Sequence, residues 1–420
     1  MQRLKDGLLR QIKQHKIGLG CFAFLLFYDW LIVNNGAFWS VNPVTYSLYA
    51  LDYSMGFCSR ILPGAVYKAL IGVYEYAPVS AFVTVFYLFL AGLASSFMER
   101  FFEAAAPKEK KTCLVLIFLF LAGPFTFGIF IREFGMLDLY WAVFFALGCL
   151  LLPKKRLKWL LPLCFIGLIF VHFAALLCYA AVLLLLLFFF AAKTEDKTEK
   201  RQYYLLFALC FVITVGLSGY FIQFESENAV YPVEEFNAIL RDRGVVFPEY
   251  LDSTLYRITD SSVAEQTRDI ARYSMDPSSS GIVRFVQWLL YYAWGAFAFS
   301  QQYSRLWFFF LLELPLAVLL IGILISYFKH VKGSAAKRFC TLLMILLFFG
   351  TSVVAVLFTT DNVRWFAHAI IGLFICTYMI LYYDYRAGFQ KVRAFFGRAG
   401  KPAVAVYALV YALVSMDPYS

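Results

Sequence analysis

The chain has 420 residues, of which 62% are hydrophobic, 20% aromatic and only 15% charged, with a formal net charge of +10. A soluble domain keeps roughly a quarter of its residues charged so that its surface can face water, so this composition excludes an ordinary soluble globule. The basic excess forms no stripe or tail of the kind that binds nucleic acid; it falls in short clusters between hydrophobic runs, the pattern of a chain in a lipid bilayer.

The first apolar run (17–38) follows five Lys/Arg, carries Asp29 and contains Asn34-Asn35 with no small-residue cleavage site. It reads as a retained first span and signal-anchor. The next segment, 39–77, is too apolar to float free. Its stretches 44–51 and 57–71 predict helices lying on the membrane, with breaks at Gly56 and Pro63-Gly64. Spans follow at 78–98, 112–131 and 136–152.

The run 157–192 is too long for one span and short for two. Basic clusters flank it at both ends, so both ends lie on one side and the run either crosses twice or dips and returns, turning near His172. After a span at 203–222 comes the one water-soluble stretch. It predicts a helix over 233–243 stopped by Gly244 and another over 262–273 opened by the capping box Ser262-Val-Ala-Glu265. An aromatic interfacial or re-entrant helix over 281–299 carries Trp288, Tyr291, Tyr292 and Trp294 as belt residues. Runs at 306–328, 339–358, 364–383 and 402–416 complete the chain.

The expected fold is therefore an all-α polytopic membrane protein with about ten or eleven transmembrane helices. It divides into an N-terminal transmembrane module (1–222), a large outer loop with its interfacial helix (223–305) and C-terminal transmembrane helices (306–420). Of 37 Lys/Arg, 26 fall in six segments on one side, and 17 of those are lysines; the other eleven include a single lysine, Lys68. Lysine marks the cytoplasm. The expected location is the cytoplasmic (plasma) membrane, with the N-terminus inside and the large loop extracytoplasmic.

Nine cysteines are an odd number without a CxxC pair, and all but Cys58 lie in apolar runs. Neither a disulfide framework nor a zinc site is expected, and the four histidines are too scattered for a metal. There is no Gly-rich phosphate loop and no Asp-x-Asp motif, so no cofactor is expected.

Three polar clusters carry the candidate chemistry, all at the outer face. In the first loop, Asp52 and Arg60 lie two helical turns apart, with Gly56 between them to let the backbone turn. They read either as a structural ion pair or as a carboxylate base beside a phosphate-binding arginine. The turn after 112–131 holds Arg132, Glu133 and Asp138, more charge than a hairpin needs; dipole capping by Asp138 is the bland alternative. On the last cluster, Asp361, Arg364 and His368 share one helix face. His172 and His368 are supporting candidates. Asp29 and Glu313 lie inside spans, where an isolated charge usually marks the wall of a polar cavity.

This layout resembles the GT-C superfamily of polytopic glycosyltransferases: a first outer loop with an acid, a short second outer turn with acids and a larger outer loop several spans later. The pattern Asp52-Tyr-x-x-Gly-Phe-x-x-Arg60 also looks like membrane proteins of bacterial capsule and exopolysaccharide clusters. The resemblance implies transfer of a sugar from a polyprenyl-phosphate or -pyrophosphate donor to a glycan or lipid acceptor. It makes Asp52 the base, Glu133 and Asp138 helpers, and Arg60, Arg132 and Arg364 phosphate contacts. The first loop lacks the adjacent acid pair of several members of that superfamily. A Wzy-type repeat-unit polymerase is the nearest alternative, and a transporter or flippase without chemistry the alternative from another class.

Overall fold

The computed structural model describes residues 15–28, 41, 45–46, 48–55, 57, 59–123, 125–132, 134–227, 233–244, 304–357 and 362–414. Among them the chain is all helical, with no strands. The expected helices over 262–273 and 281–299 lie outside the described residues, as do Asp29, Gly56, Cys58, Glu133 and Asp361.

Helices α1 (Lys16–Phe27), α2 (Leu62–Leu70) and α3 (Tyr76–Ala104) open the fold. Helix α2 falls within the expected stretch 57–71; in the expected stretch 44–51 the described residues show helix at 45–46 and a 3-10 turn, Leu48–Ala50, and a second 3-10 turn, Tyr53–Met55, follows. The first loop packs closely on α2. A Cβ on Gly64 would stand 2.1 Å from the Leu51 carbonyl oxygen and 2.8 Å from that of Leu48, so the turns lie directly on the first turn of α2.

The run 112–131 is interrupted. Helix α4 (Lys110–Ala122) ends at Gly123, which is extended at ψ 143°, and five residues of α5 (Gly128–Arg132) follow the break. Gly123 precedes a proline in the sequence, a position from which the helical region is disfavoured, and proline itself supplies no N–H to the ladder. Helix α6 (Leu137–Leu151) follows.

The ambiguous run is likewise split. Helix α7 (Leu161–Val171) stops at His172, whose extended backbone and side chain begin a 3-10 turn, Phe173–Leu177, and α8 (Tyr179–Lys193) follows. The chain continues through α9 (Lys197–Glu227) and α10 (Val233–Asp242). Gly244, at φ 82°, stands just beyond α10. The last part comprises α11 (Ser304–His330), α12 (Ala335–Leu357), α13 (Asn362–Tyr383), the amphipathic α14 (Phe389–Ala399) and α15 (Lys401–Val414).

Five of these helices, α3, α9, α11, α12 and α13, are long and apolar enough to cross a membrane, and α1, α6, α7, α8 and α15 contribute shorter apolar segments. Helix α13 is the central one: most of its length is buried, against α12, α11 and α8. Helices α9 and α12 instead expose most of theirs, presenting Leu205, Phe211, Val212, Leu342, Leu346 and Phe349 on the outside of the bundle. Exposed apolar surface of this kind is compatible with a membrane protein.

Charge collects at two ends of the bundle. At one end Lys337 Nζ lies 2.7 Å from Asp384 Oδ2, Tyr327 also donates to Asp384, and Lys193 Nζ donates to the Tyr383 carbonyl at 3.0 Å. At the other end of α13 stand Arg364 and His368. Twenty residues of helix separate Arg364 from Asp384, about 30 Å, which matches the hydrocarbon thickness of a bilayer.

Candidate functional site

The arginine end of the bundle is assembled from the first loop, α2, α6, the His172 turn, α8, α10 and α13. Asp138 occupies the first turn of α6, where the helix dipole favours a carboxylate. Helix α13 brings Arg364 and His368, one turn apart, against it. His368 Nε2 lies 2.6 Å from Asp138 Oδ1, and Arg364 Nη1 donates to Oδ2 at 3.3 Å. On the far side of the imidazole, Tyr179 Oη lies 2.8 Å from Nδ1.

One proton assignment satisfies every member. The Tyr179 hydroxyl donates to Nδ1, Nε2–H donates to Asp138, and the charged Arg364 donates to the remaining carboxylate oxygen. Asp138 and His368 are only 4% and 2% exposed, so this polar chain is buried, while Arg364 is partly exposed. A buried carboxylate is tolerated where charge and hydrogen bonds meet both its oxygens, as here.

The Trp141 ring, one turn beyond Asp138 on α6, packs edge-on to His368 at 5.4 Å between centroids and against His172 at 5.5 Å. Its indole N–H donates to the Leu168 carbonyl at 3.0 Å, which fixes the ring. Beyond it, Arg60 Nη2 lies 2.7 Å from His172 Nε2. Arginine stays protonated and donates, so His172 accepts there as a neutral ring. The Ala174 N–H, 3.2 Å from Nδ1, competes for the single acceptor nitrogen of that ring. Arg60 holds φ 74°, left-handed for a residue with a Cβ, while its own N–H donates to the Phe170 carbonyl at 3.2 Å.

Asp52 forms a separate knot. Its Oδ1 accepts from the Ser54 N–H at 2.7 Å, and Oδ2 takes Lys68 Nζ at 2.6 Å and Arg243 Nη1 at 2.7 Å. The Arg243 guanidinium also donates to the Ala50 carbonyl at 2.7 Å and the Ser54 hydroxyl at 3.1 Å. It therefore staples the end of α10 to the first loop. Burial pushes the Asp52 carboxyl up, but the bonds from Lys68 and Ser54 and the Arg243 charge outweigh it and bring the carboxyl down to about 2.

The expected closeness of Asp52 and Arg60 is replaced by two different pairings: Asp52 with Lys68 and Arg243, and Arg60 with His172. The left-handed turn at Arg60 sends its side chain toward the His172 turn. The structure does bring Asp138, Arg364 and His368 together, with His172 next to them across Trp141. Arg132 closes α5, but its side chain, Glu133 and Asp361 lie outside the described residues.

Lys68, Arg243, Tyr179 and Trp141 were absent from the sequence candidates. Lys68 carried a signal, being the lone lysine among the arginines assigned to that face. Tyr179 carried none, since 189 residues separate it from His368.

No family model, curated protein or solved structure matches the chain. Among the described residues, no group of three or more His, Cys, Asp or Glu side chains forms a metal site.

Proposed function

We propose that the chain is a multi-pass glycosyltransferase of the cytoplasmic membrane that works on its extracytoplasmic face. It moves a sugar from a polyprenyl-phosphate or -pyrophosphate carrier to a glycan or lipid acceptor in cell-surface polysaccharide synthesis. The observation that carries this reading is the Asp138–His368 pair, held between Tyr179 and Arg364 at the arginine end of the bundle. The lysine-rich opposite end, about 30 Å away along α13, supports a cytoplasmic assignment for that side.

In this reading the acceptor hydroxyl gives its proton to the Tyr179 oxygen while Tyr179 passes its own proton to His368 Nδ1, with Asp138 stabilising the imidazolium, as the acceptor oxygen bonds the sugar carbon. The bond from that carbon to the carrier phosphate breaks, and the phosphate departs with the electron pair. Arg364 and Arg60 neutralise the charge that develops on it, a task suited to a planar guanidinium. Asp52 changes role relative to the sequence expectation. A carboxyl held near 2 by two cations is a weak proton acceptor, so Asp52 serves as the fixed anion that secures the first loop. Glu133, Asp361 and Arg132 keep their roles as helper and phosphate-contact candidates.

The test is sugar transfer from a supplied polyprenyl-phosphate-linked sugar by the purified protein in liposomes. Asp138→Asn and His368→Gln are expected to lower the rate by about a hundredfold or more, the contribution of a positioned base. Full transfer by either variant at normal expression would sink the assignment.

A second reading, a transporter, has one observation in its favour. The α4–α5 interruption, with Glu313 beside it, has the form of the discontinuous helices at transport sites. Movement of lipid-linked sugar across the liposome membrane without any change in its chemical form would favour that reading.

A further inference from the structure

Glu313 lies on α11, a third of the way along the helix, and is 0% exposed. Both donors that reach it fall on the same oxygen: Tyr411 of α15 donates to Oε1 at 2.5 Å and the Phe125 N–H, from the α4–α5 break, at 3.3 Å. Among the described residues Oε2 has no hydrogen-bond partner. A few polar groups lie nearby. Pro315 in α11 supplies no N–H to its helix, Tyr407 donates to the Leu312 carbonyl at 2.7 Å, and the Thr126 hydroxyl sits in the break.

The groups facing Glu313 are Tyr407 and Tyr411 from α15 and the Phe125 amide from the break, with Thr126 bonded to Tyr411. Helices α12, α13 and α14 also pack on α11, and among the described residues they place no charged side chain in an ion pair with Glu313. A lone carboxylate enclosed among apolar helices with no cation beside it is costly, and the group becomes neutral instead. The asymmetric bonding suits the neutral acid: a carbonyl oxygen accepting two bonds, and a hydroxyl oxygen carrying the proton.

A metal cation fits less well, because the oxygens near the break are already engaged. The Gly123 carbonyl accepts from the Gly128 and Thr126 amides, the Phe120 carbonyl from Phe127, and the Ala122 carbonyl from the Tyr28 hydroxyl. A hard cation needs several free oxygen ligands at once.

We propose that Glu313 is a proton-binding site inside the bundle, formed where the interrupted helix α4–α5 meets α11 and α15. On release, the Oε2–H bond breaks, the proton passes to water and the carboxylate keeps its bonds from Tyr411 and Phe125. The site is distinct from the Asp138–His368 pair and does not depend on the glycosyltransferase reading.

The experiment is labelling of the purified full-length protein with dicyclohexylcarbodiimide, which adds to protonated carboxyls in apolar surroundings, followed by peptide mass spectrometry. The adduct is expected on Glu313 and is expected to fall by more than about tenfold as the pH is raised from about 6 to about 9. Labelling insensitive to pH overturns the proposal. So does loss of labelling on adding sodium at constant pH, which would assign the site to a metal cation. Infrared spectroscopy gives a second readout: a protonated-carboxyl carbonyl band that vanishes in Glu313→Gln and shifts in Tyr411→Phe. If neither variant alters the band, the proposal fails.

Discussion

Asp138 and His368, 230 residues apart in the chain, meet at 2.6 Å in a setting where both are almost fully buried. The contact ties the first turn of α6 to the first turns of α13, the most enclosed long helix of the bundle. Asp138 is a buried carboxylate whose oxygens are met by the His368 N–H and the Arg364 cation, and a buried ion pair that loses one member leaves the other uncompensated. The consequences of removing one partner or another are therefore strongly asymmetric.

Asp138→Ala leaves His368 and Arg364 facing an apolar gap, and is expected to destabilise the protein by about 3–5 kcal/mol. Tyr179→Phe removes only a hydroxyl donor from His368 and is expected to cost about 1 kcal/mol. Thermal unfolding in detergent should therefore rank Asp138→Ala far below Tyr179→Phe. Equal losses would mean that the buried carboxylate contributes no more than a neutral hydrogen bond.

The Asp52 knot has a pH signature. Its carboxyl titrates near 2 in the folded protein against an ordinary 3.8. The unfolded chain thus binds the proton first on acidification, and the stabilisation is complete above about pH 4 and lost as pH falls toward about 2. Melting temperature should drop through this window in the parent protein. In Lys68→Met the drop should be smaller and should end at higher pH, and in Asp52→Asn this component should be missing.

Gly64 tests whether the first loop sits directly on α2. Gly64→Ala places a methyl group within contact distance of two carbonyl oxygens and is expected to cost about 1–3 kcal/mol through displaced backbone. Gly92, inside α3, has nothing within 4 Å of its would-be Cβ, so Gly92→Ala should gain up to about 1 kcal/mol from helix propensity. Opposite signs in thermal melts are the expected result.

Arg60 combines a backbone strain with a side-chain bond. Arg60→Gly loses the His172 contact but relieves the left-handed φ, whereas Arg60→Ala loses the contact and keeps the strain. The glycine variant should be more stable than the alanine variant by about 1 kcal/mol. Equal stabilities would place no strain at this residue.

Much of the helical framework was readable in the chain because hydrophobic runs, proline and charge act locally. The split of 157–192 at His172 and the stop before Gly244 both follow from nearest neighbours in sequence. The break at Gly123 also had a written cue in the following proline, although the run 112–131 reads as one continuous span when hydropathy alone is counted. The first loop was harder. Its amphipathic pattern predicts a helix over 57–71, where α2 forms, and another over 44–51, where Leu48 and Leu51 lie in close contact with Gly64 and Leu48–Ala50 is a 3-10 turn.

The side-chain partnerships were of a different kind. Residue type and position by themselves established an apolar, all-helical chain with acids, histidines and arginines set near helix ends. They also singled out Asp138, Arg364 and His368 as members of one face. Which carboxylate meets which cation was decided only by tertiary structure. Asp52 could have met Arg60 in its own loop. Instead it is held by Lys68 and by Arg243, 191 residues away, while the left-handed turn gives Arg60 to His172. Helix formation depends on bonds four residues apart, which a sequence displays. Ion pairing depends on which helix ends are packed side by side, and that is settled by burial of apolar surface across the whole bundle.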